Sequence, residues 1–178
     1  MSHSIGRFSI RYAGLADGSH SFDFAPDKTF FTEYFPETDI LDSKIAIHID
    51  ADKQTGMLIT NMTLSGAVTV ECDRCLDPCQ VELNAQQTLI FSSSINNTFS
   101  KKEEDSVIEI GEVSENVILD NHIYDFVILS LPLRRVHDDL EGPDSQCNQD
   151  VLKELDQLSA TVAPDPRWEK LNELKLGN

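Results

Sequence analysis

The sequence predicts an α+β fold of mainly antiparallel β-structure, arranged as a single domain over residues 1–178 with one buried helix and a short C-terminal helix. Three observations predict this class. Apolar and polar residues alternate along several long runs, which is typical of strands with one covered face. Tight turns separate these runs, which favours antiparallel pairing. One later segment is apolar on most of its helical circumference and therefore has to be buried.

The middle of the chain carries the clearest strand signals. Three consecutive runs place an uncharged, mostly apolar residue at every second position: Ile45, Ile47 and Ile49; Leu58, Thr60, Met62, Leu64, Val68, Val70 and Cys72; and Val81, Leu83, Ala85, Leu89 and Phe91. Residues 52–56 supply a turn between the first two runs. The alternation therefore predicts long antiparallel strands that share one covered face.

The N-terminal part predicts two further strands and a short helix. The stretches "RFSIRYAGL" and "HSFDF" each alternate, and the residues between them are typical of a turn. Four aromatic residues then fall at helical spacing before Pro36: Phe30, Phe31, Tyr34 and Phe35. We expect one or two helical turns here that pack their aromatic stripe on the sheet.

The second half begins with a change of composition. Residues 92–106 are polar and weakly patterned, so we expect a mobile loop there, followed by short strands at "VIEI" and "VIL". Asp120 is a suitable N-cap for the buried helix, and Pro132 ends that helix.

The C-terminal part starts with residues 138–150, which predict an acidic, turn-rich loop. After it, Leu152, Leu155 and Leu158 predict one side of a helix. The final "DPRWEKLNEL" predicts the short C-terminal helix, in which Trp168 is a packing anchor for the tail.

Charge is the strongest feature of the composition. The chain has 14 Lys and Arg against 31 Asp and Glu, a formal net charge of -17. Such a surface repels nucleic-acid phosphates, so a basic protein partner is easier to justify than broad nucleic-acid binding. The acidity could equally serve only solubility. No apolar run reaches the roughly 20 residues of a membrane helix, and the N-terminus lacks a signal-peptide pattern, so we expect a cytoplasmic protein with no membrane partner.

The cysteines offer the clearest chance of chemistry. Cys72 and Cys75 form a C-x2-C pair at the bend between two predicted strands. Such a pair can direct both sulfurs to one zinc ion, but a closed tetrahedral site needs two more ligands. The candidates for these are Cys79, Cys147, His137 and His122.

Two other readings of the cysteines stay open at this point. The hairpin turn could carry thiols that are chemically inert. A thiol oxidoreductase is disfavoured, because its C-x2-C pair normally opens a helix whose N-terminus lowers the thiol pKa. The sequence contains no phosphate loop, H-E-x-x-H or G-x-S-x-G stretch, so we expect no catalytic residues, no enzyme activity and no small-molecule substrate.

Three ordered segments carry a family resemblance: "SGAVTVECDRCLDPCQVEL", "IYDFVILSLPLRRVH" and "DPRWEKLNELK". Together they span most of residues 5–176, and the chain resembles the YceD family, whose named role is accumulation of large-subunit ribosomal RNA. The N-terminal "GLADGSHSFDF" and "FFTEYF" resemble the form found in the Bacteroidetes branch of that family. The resemblance implies a non-enzymatic ribosome-biogenesis factor that supports synthesis, processing or stability of this rRNA.

The resemblance also implies a ligand set. Members of the family often carry a further cysteine pair near the C-terminus, which completes a four-thiol set. This chain keeps Cys72 and Cys75 but has only Cys147 in the corresponding acidic loop, and His137 could replace the missing thiol. We therefore expect no obligatory cofactor but allow zinc, with these four residues as its candidate ligands.

The implied partners are ribosomal proteins or rRNA-processing factors, and direct contact with rRNA is allowed. Arg74 at the hairpin tip and Arg134 and Arg135 after the buried helix are the candidate contacts to RNA or a partner. The alternative function is a small zinc-binding module that recognises nucleic acid directly.

Overall fold

The computed structural model describes residues 7–93, 107–110, 115–137 and 146–160. In these ranges the elements in chain order are β1 (Ser9–Ile10), a 3-10 turn (Tyr12–Gly14), β2 (Gly18–Phe24), α1 (Lys28–Tyr34), β3 (Ile40–Gln54), β4 (Met57–Glu71), β5 (Pro78–Ser92), β6 (Val107–Glu109), β7 (Val117–Ile118), α2 (Asp120–Ser130) and α3 (Gln149–Ala160). The chain is therefore α+β, as predicted.

A five-stranded sheet in the order β2-β3-β4-β5-β6 forms the body of the fold. The three central strands are 15 residues long each and pair in sequence as antiparallel hairpins. Leu64 lies opposite Ile47 on one side and Ala85 on the other, so the alternating apolar residues share one face. The predicted central strands and their common covered face are confirmed.

The last strand of the sheet departs from the antiparallel pattern. β6 pairs with β5 in parallel, with Ile90 opposite Val107. A parallel neighbour needs a crossover connection, and the pairing covers only three residues of each strand. The sheet is therefore mainly antiparallel with one short parallel edge.

Gly66 permits a close approach in the middle of the sheet. Its φ angle is +124°, a backbone conformation that side chains disfavour. A Cβ atom at this position would overlap the carbonyl oxygen of Lys44 and lie 2.8 Å from the Cα of Ile45. Only glycine therefore lets β3 and β4 come together at this point.

The N-terminal strand is shorter than its alternation predicts. β1 contains two residues, gives way to the 3-10 turn, and pairs with β7 outside the large sheet. The Asp120 side chain explains this placement, because it accepts hydrogen bonds from the backbone N–H groups of Arg7 at 2.9 Å and Phe8 at 2.7 Å. The prediction that Asp120 is the N-cap of α2 was wrong: Leu119 occupies that position, and Asp120 is buried.

The helices cover the apolar face of the sheet. Phe30 and Phe31 of α1 are completely buried, and Phe35 after it stacks on Tyr124 of α2 with ring centroids 3.8 Å apart. Ile123 and Val127 of α2 join the same core cluster as the sheet residues. One face of α2 is therefore buried, but the helix is less enclosed than predicted, because Leu129 on its outer side is 80% exposed.

Several predictions fall on parts of the chain outside the described residues. These are most of the 92–106 loop, most of the 138–150 loop, and the C-terminal helix with Trp168. α3 forms where Leu152, Leu155 and Leu158 predict a helix; Leu152 contacts the core, whereas the other two leucines are exposed. Among the helices of the described ranges, none has both the length and the apolar character needed to cross a membrane.

Candidate metal centre

The turn between β4 and β5 holds the first two candidate ligands. β4 ends at Glu71 and β5 begins at Pro78, so six residues make the connection. The Cys72 N–H donates to the Asp77 carbonyl at 3.0 Å, and the Leu76 N–H donates to the Cys72 carbonyl at 2.9 Å. Leu76 adopts a φ of +63°, which lets the chain reverse directly after Cys75. This compact turn leaves both cysteine side chains buried.

The segment after α2 supplies the third candidate ligand. Asp73 and Arg135 hold this segment against the turn through two backbone contacts: the Asp73 N–H donates to the Arg135 carbonyl at 2.7 Å, and the Arg135 N–H donates to the Asp73 carboxylate at 2.6 Å. The Arg135 guanidinium also pairs with Asp39 at 2.9 Å and with Asp73 at 3.2 Å. These contacts place His137 beside Cys75.

The fourth candidate ligand, Cys147, lies two residues before α3 and is buried. One ligand atom from each of Cys72, Cys75, His137 and Cys147 lies within 4.8 Å of the other three. The Cys72 and Cys147 sulfurs are 3.8 Å apart, and Nδ1 of His137 lies 3.6 Å from the Cys75 sulfur and 3.7 Å from the Cys147 sulfur.

These separations fit a tetrahedral zinc ion. Two sulfurs at about 2.3 Å from one zinc lie about 3.8 Å apart, and a sulfur and an imidazole nitrogen lie about 3.6 Å apart. Three thiols and one imidazole are also a donor set that zinc accepts in structural sites. The Cys3His cluster could therefore hold a metal ion.

The second ring nitrogen of His137 has a defined partner. Nε2 lies 3.1 Å from the carbonyl oxygen of Pro78, which can only accept a hydrogen bond. The proton of the neutral ring is therefore on Nε2, and the lone pair of Nδ1 faces the three sulfurs. Metal-binding histidines are oriented in this way by carbonyl or carboxylate partners.

Cys72 is electrostatically prepared to be a thiolate. Desolvation by burial acts to raise its pKa, but backbone N–H groups of Cys75, Arg74 and His137 direct hydrogen bonds to the sulfur and lower the pKa to about 6. One of these, from Arg74, measures 3.4 Å. Because a metal binds the thiolate and not the thiol, this environment favours ligation.

The two other candidate ligands lie elsewhere. Cys79 belongs to β5, opposite Val70, and is buried in the core, where desolvation raises its pKa. Its thiol behaves there as a small apolar side chain. His122 on α2 packs edge-on against Phe91, and burial lowers its pKa. Neither belongs to the cluster found among the described residues.

The candidate contact arginines differ in their surroundings. Arg135 is engaged by Asp39 and Asp73, so its guanidinium has a structural role in holding the turn. Arg74 is half-buried and Arg134 is exposed. That any of the three contacts RNA or a partner stays a prediction.

The clamp between Asp73 and Arg135 was missed by the sequence reasoning. Its only signal in the sequence is an aspartate inside the C-x2-C turn and an arginine two residues before a histidine, and neither points to the other across 62 positions. The turn joins two strands and opens no helix, so the arrangement that lowers thiol pKa values in thioredoxin-type redox sites is not formed by Cys72 and Cys75.

The fold and site define a small α+β protein whose β4–β5 turn carries a Cys3His cluster able to hold a metal ion. A family model described as "Large ribosomal RNA subunit accumulation protein YceD" matches residues 60–175, which is more than half of the chain. The chain belongs to the YceD family. No curated protein and no solved structure gives a significant match.

Proposed function

We propose that this protein is a non-enzymatic ribosome-biogenesis factor that supports the synthesis, processing or stability of large-subunit rRNA. The observation that carries the proposal is the family match, which includes the β4–β5 turn, α2 and the whole Cys3His cluster. The family is named for accumulation of this rRNA.

We further propose that the protein acts mainly through protein contacts. Its net charge of -17 opposes approach to an RNA backbone, and the guanidinium of Arg135 is already held by two carboxylates. Basic ribosomal proteins, or basic surfaces of rRNA-processing factors, are attracted by the same charge. Arg74 and Arg134 remain candidate contacts beside the cluster.

Zinc bound by Cys72, Cys75, His137 and Cys147 would have a structural role in this proposal. Four protein ligands close the tetrahedron and leave no open position for substrate or water. The ion would fasten the segment after α2 and the start of α3 to the β4–β5 turn. The residues around the site contribute the orientation of His137 and the thiolate character of Cys72.

The alternative function is a zinc-binding module that recognises nucleic acid directly. The Cys3His geometry favours the zinc-binding part of this alternative and does not bear on nucleic-acid recognition. The two functions differ in the molecule bound. Purified protein should retain basic ribosomal proteins at moderate salt while giving no saturable binding to large-subunit rRNA. Tight, salt-resistant rRNA binding by the protein alone would favour the alternative.

The main proposal is tested by removing the gene from its host. We expect the ratio of mature large-subunit to small-subunit rRNA to fall and to be restored by the wild-type gene on a plasmid. An unchanged ratio, with unchanged precursors, would overturn the proposed function. The variant His137→Ala then reports whether the metal centre contributes to it.

A further inference from the structure

Among the residues that the structure describes, the outer edge of β5 has no strand neighbour over most of its length. β6 pairs with β5 only at Ile90–Ser92, through Val107–Glu109. Over Pro78–Leu89, no strand of the described ranges lies on that side of β5. About four-fifths of this 15-residue strand therefore has a described strand neighbour on the β4 side alone.

Two hydrogen bonds identify which backbone groups of β5 point to this open edge. The Ser93 N–H donates to the Gly56 carbonyl on the β4 side, whereas the Ser92 carbonyl accepts from the Ile110 N–H on the β6 side. Because these directions alternate in an antiparallel pair and β4 and β5 pair without a register shift, the even-numbered residues face the open edge. They are Gln80, Glu82, Asn84, Gln86 and Thr88, and all five are exposed.

After Pro78, which opens the strand, this edge lacks the features that normally prevent strand addition. Protein edges are commonly protected by proline, lysine, inward-pointing charge or a bulge. Residues 79–91 contain no proline, lysine or arginine and a single charged residue, Glu82. Their pairing with β4 shows no bulge. The open stretch is therefore chemically able to accept another strand.

A side chain beside the edge also carries a buried acceptor atom that lacks a hydrogen-bond donor among the described residues. Gln87 lies on the covered face, opposite Met62, and is half-buried. Its Oε1 atom is shielded from solvent and accepts no hydrogen bond within the described part of the chain. A buried acceptor of this kind costs free energy until a donor reaches it. An added strand could bring that donor.

We propose that the edge of β5 from Gln80 to Thr88 binds an extended, basic segment of a partner protein, which adds to the sheet as a sixth strand. Charge selects the occupant. A second copy of this chain would bring another net charge of -17, whereas a segment rich in lysine or arginine is attracted. Exposed carboxylates on the solvent face of the sheet, including Asp50 and Glu82, add to the attraction.

The two faces of the sheet specify the sequence of the partner segment. On the solvent face its side chains would lie beside Glu82, Asn84 and Gln86, which favours basic and polar residues. On the covered face they would lie beside Leu83 and Ala85, which favours small apolar residues. A segment in which basic and apolar residues alternate meets both conditions. The inference rests on the proposed function only in taking this partner from the ribosome-assembly machinery.

The test uses a labelled ten-residue peptide of alternating lysine and valine as the probe. We expect saturable binding to the full-length protein, and at least tenfold slower hydrogen exchange at the N–H groups of Glu82, Asn84 and Gln86 when the peptide is present. A peptide of the same charge that is N-methylated at alternate residues should bind at least tenfold more weakly, because one of its edges cannot donate.

A matched pair of variants tests the protein side. Asn84→Pro removes one outward N–H while leaving the β4 ladder intact, since proline is tolerated on edge strands. We expect it to weaken peptide binding at least tenfold, whereas Asn84→Thr should bind like wild type. If Asn84→Pro fails to fold, the N-methylated peptide alone decides.

Several outcomes would overturn the inference. Equal binding of the two peptides would show attraction to acidic surface without strand pairing. Slow exchange of the even-numbered N–H groups in the free monomer would show that the chain covers its own edge. A dimer that Asn84→Pro dissociates would show a second copy as the occupant.

Failure of this inference is distinguishable from failure of the proposed function. If the deletion strain loses large-subunit rRNA and the folded Asn84→Pro variant restores it completely, the proposed function stands and the docking edge is wrong. If the deletion changes no rRNA while the peptide measurements succeed, the edge stands and the rRNA role is wrong.

Discussion

Nδ1 of His137 lies 3.6 Å from the sulfur of Cys75, although 62 positions separate the two residues in the chain. The Pro78 carbonyl fixes the imidazole so that this nitrogen, and not Nε2, faces the cysteines. Together with the 3.8 Å between the Cys72 and Cys147 sulfurs and the 3.7 Å between Nδ1 and the Cys147 sulfur, this contact matches the donor spacing of a tetrahedral zinc site.

Zinc content follows from this arrangement. Protein purified without chelator should contain about one zinc per chain, and His137→Ala should lower that content severalfold because three donors remain. Cys79→Ala is the control, since Cys79 is a buried cysteine outside the cluster. Elemental analysis measures both. Less than about a tenth of an equivalent of zinc in the wild-type protein would contradict the assignment of the cluster as a metal site.

Gly66 should be the least replaceable glycine in the sheet. Gly66→Ala forces a Cβ against the Lys44 carbonyl in a backbone conformation that alanine disfavours, so we expect the free energy of unfolding to fall by about 3 kcal/mol or more. Gly14→Ala is the control, because its Cβ would meet no atom closer than 3.6 Å. Urea denaturation compares the two variants. Similar midpoints for Gly66→Ala and Gly14→Ala would show that β3 and β4 can move apart enough to accommodate the added Cβ atom.

Asp120 should matter for the N-terminal segment more than for α2. Asp120→Ala removes the acceptor of two backbone N–H groups, and we expect a loss of about 2 kcal/mol in the free energy of unfolding. Asp125→Ala, at an exposed position of the same helix, should change it little. Thermal unfolding with hydrogen exchange at Phe8 measures both effects. Unchanged protection of the Phe8 amide in Asp120→Ala would argue against the hydrogen bond from this amide to Asp120.

Leu76 is held in a conformation that glycine adopts more readily. Its φ angle is +63° and its side chain is 70% exposed. The small hydrophobic burial of this side chain therefore does little to offset the backbone strain. Leu76→Gly should therefore raise the free energy of unfolding by up to about 1 kcal/mol, whereas Leu76→Ala should not. The midpoints of denaturant unfolding, measured on the zinc-loaded wild-type, Leu76→Gly and Leu76→Ala proteins, test this prediction. Destabilisation by Leu76→Gly would reveal contacts of this leucine that the exposure does not indicate.

His48 should titrate above its ordinary range. A hydrogen bond from its ring to Asp23 at 2.7 Å raises its pKa, with a further contribution from the charge of Asp50. The stabilisation is therefore present below the unfolded pKa of about 6.5 and is lost as the pH rises through the higher folded value. NMR titration should show the raised pKa and its return toward normal in Asp23→Asn. Because the pair is exposed, we expect little change in melting temperature.

The sequence was most informative where one local pattern decides the structure. Ile45, Ile47 and Ile49 alternate because one face of β3 is buried, and no other element is needed to see it. The β1 segment misled because Ile10 is buried and Phe8 packs against Phe24 and Phe30, although the strand itself pairs with β7. The alternation cannot distinguish this packing from a place in the main sheet.

The four residues of the Cys3His cluster could be predicted from the sequence, whereas the contacts that position them could not. The resemblance to a four-thiol family set indicated Cys147 and His137 as partners of the C-x2-C pair, and the structure brings all four together. The contacts that hold His137 in place involve the Pro78 carbonyl and the backbone of Arg135. Backbone atoms carry no residue-specific signal, so sequence reasoning could not find them.

The hydrogen bond between the Phe8 N–H and the Asp120 carboxylate joins residues 112 positions apart, and it has a consequence for the order of folding. During synthesis the β3–β4–β5 meander is complete well before Asp120 is translated, and its hairpin contacts are close in sequence. Because closing a long loop costs entropy and local contacts form faster, we expect the meander to collapse first on the nascent chain. Phe8 is synthesised before the meander but would then reach its final position after it, once α2 has formed.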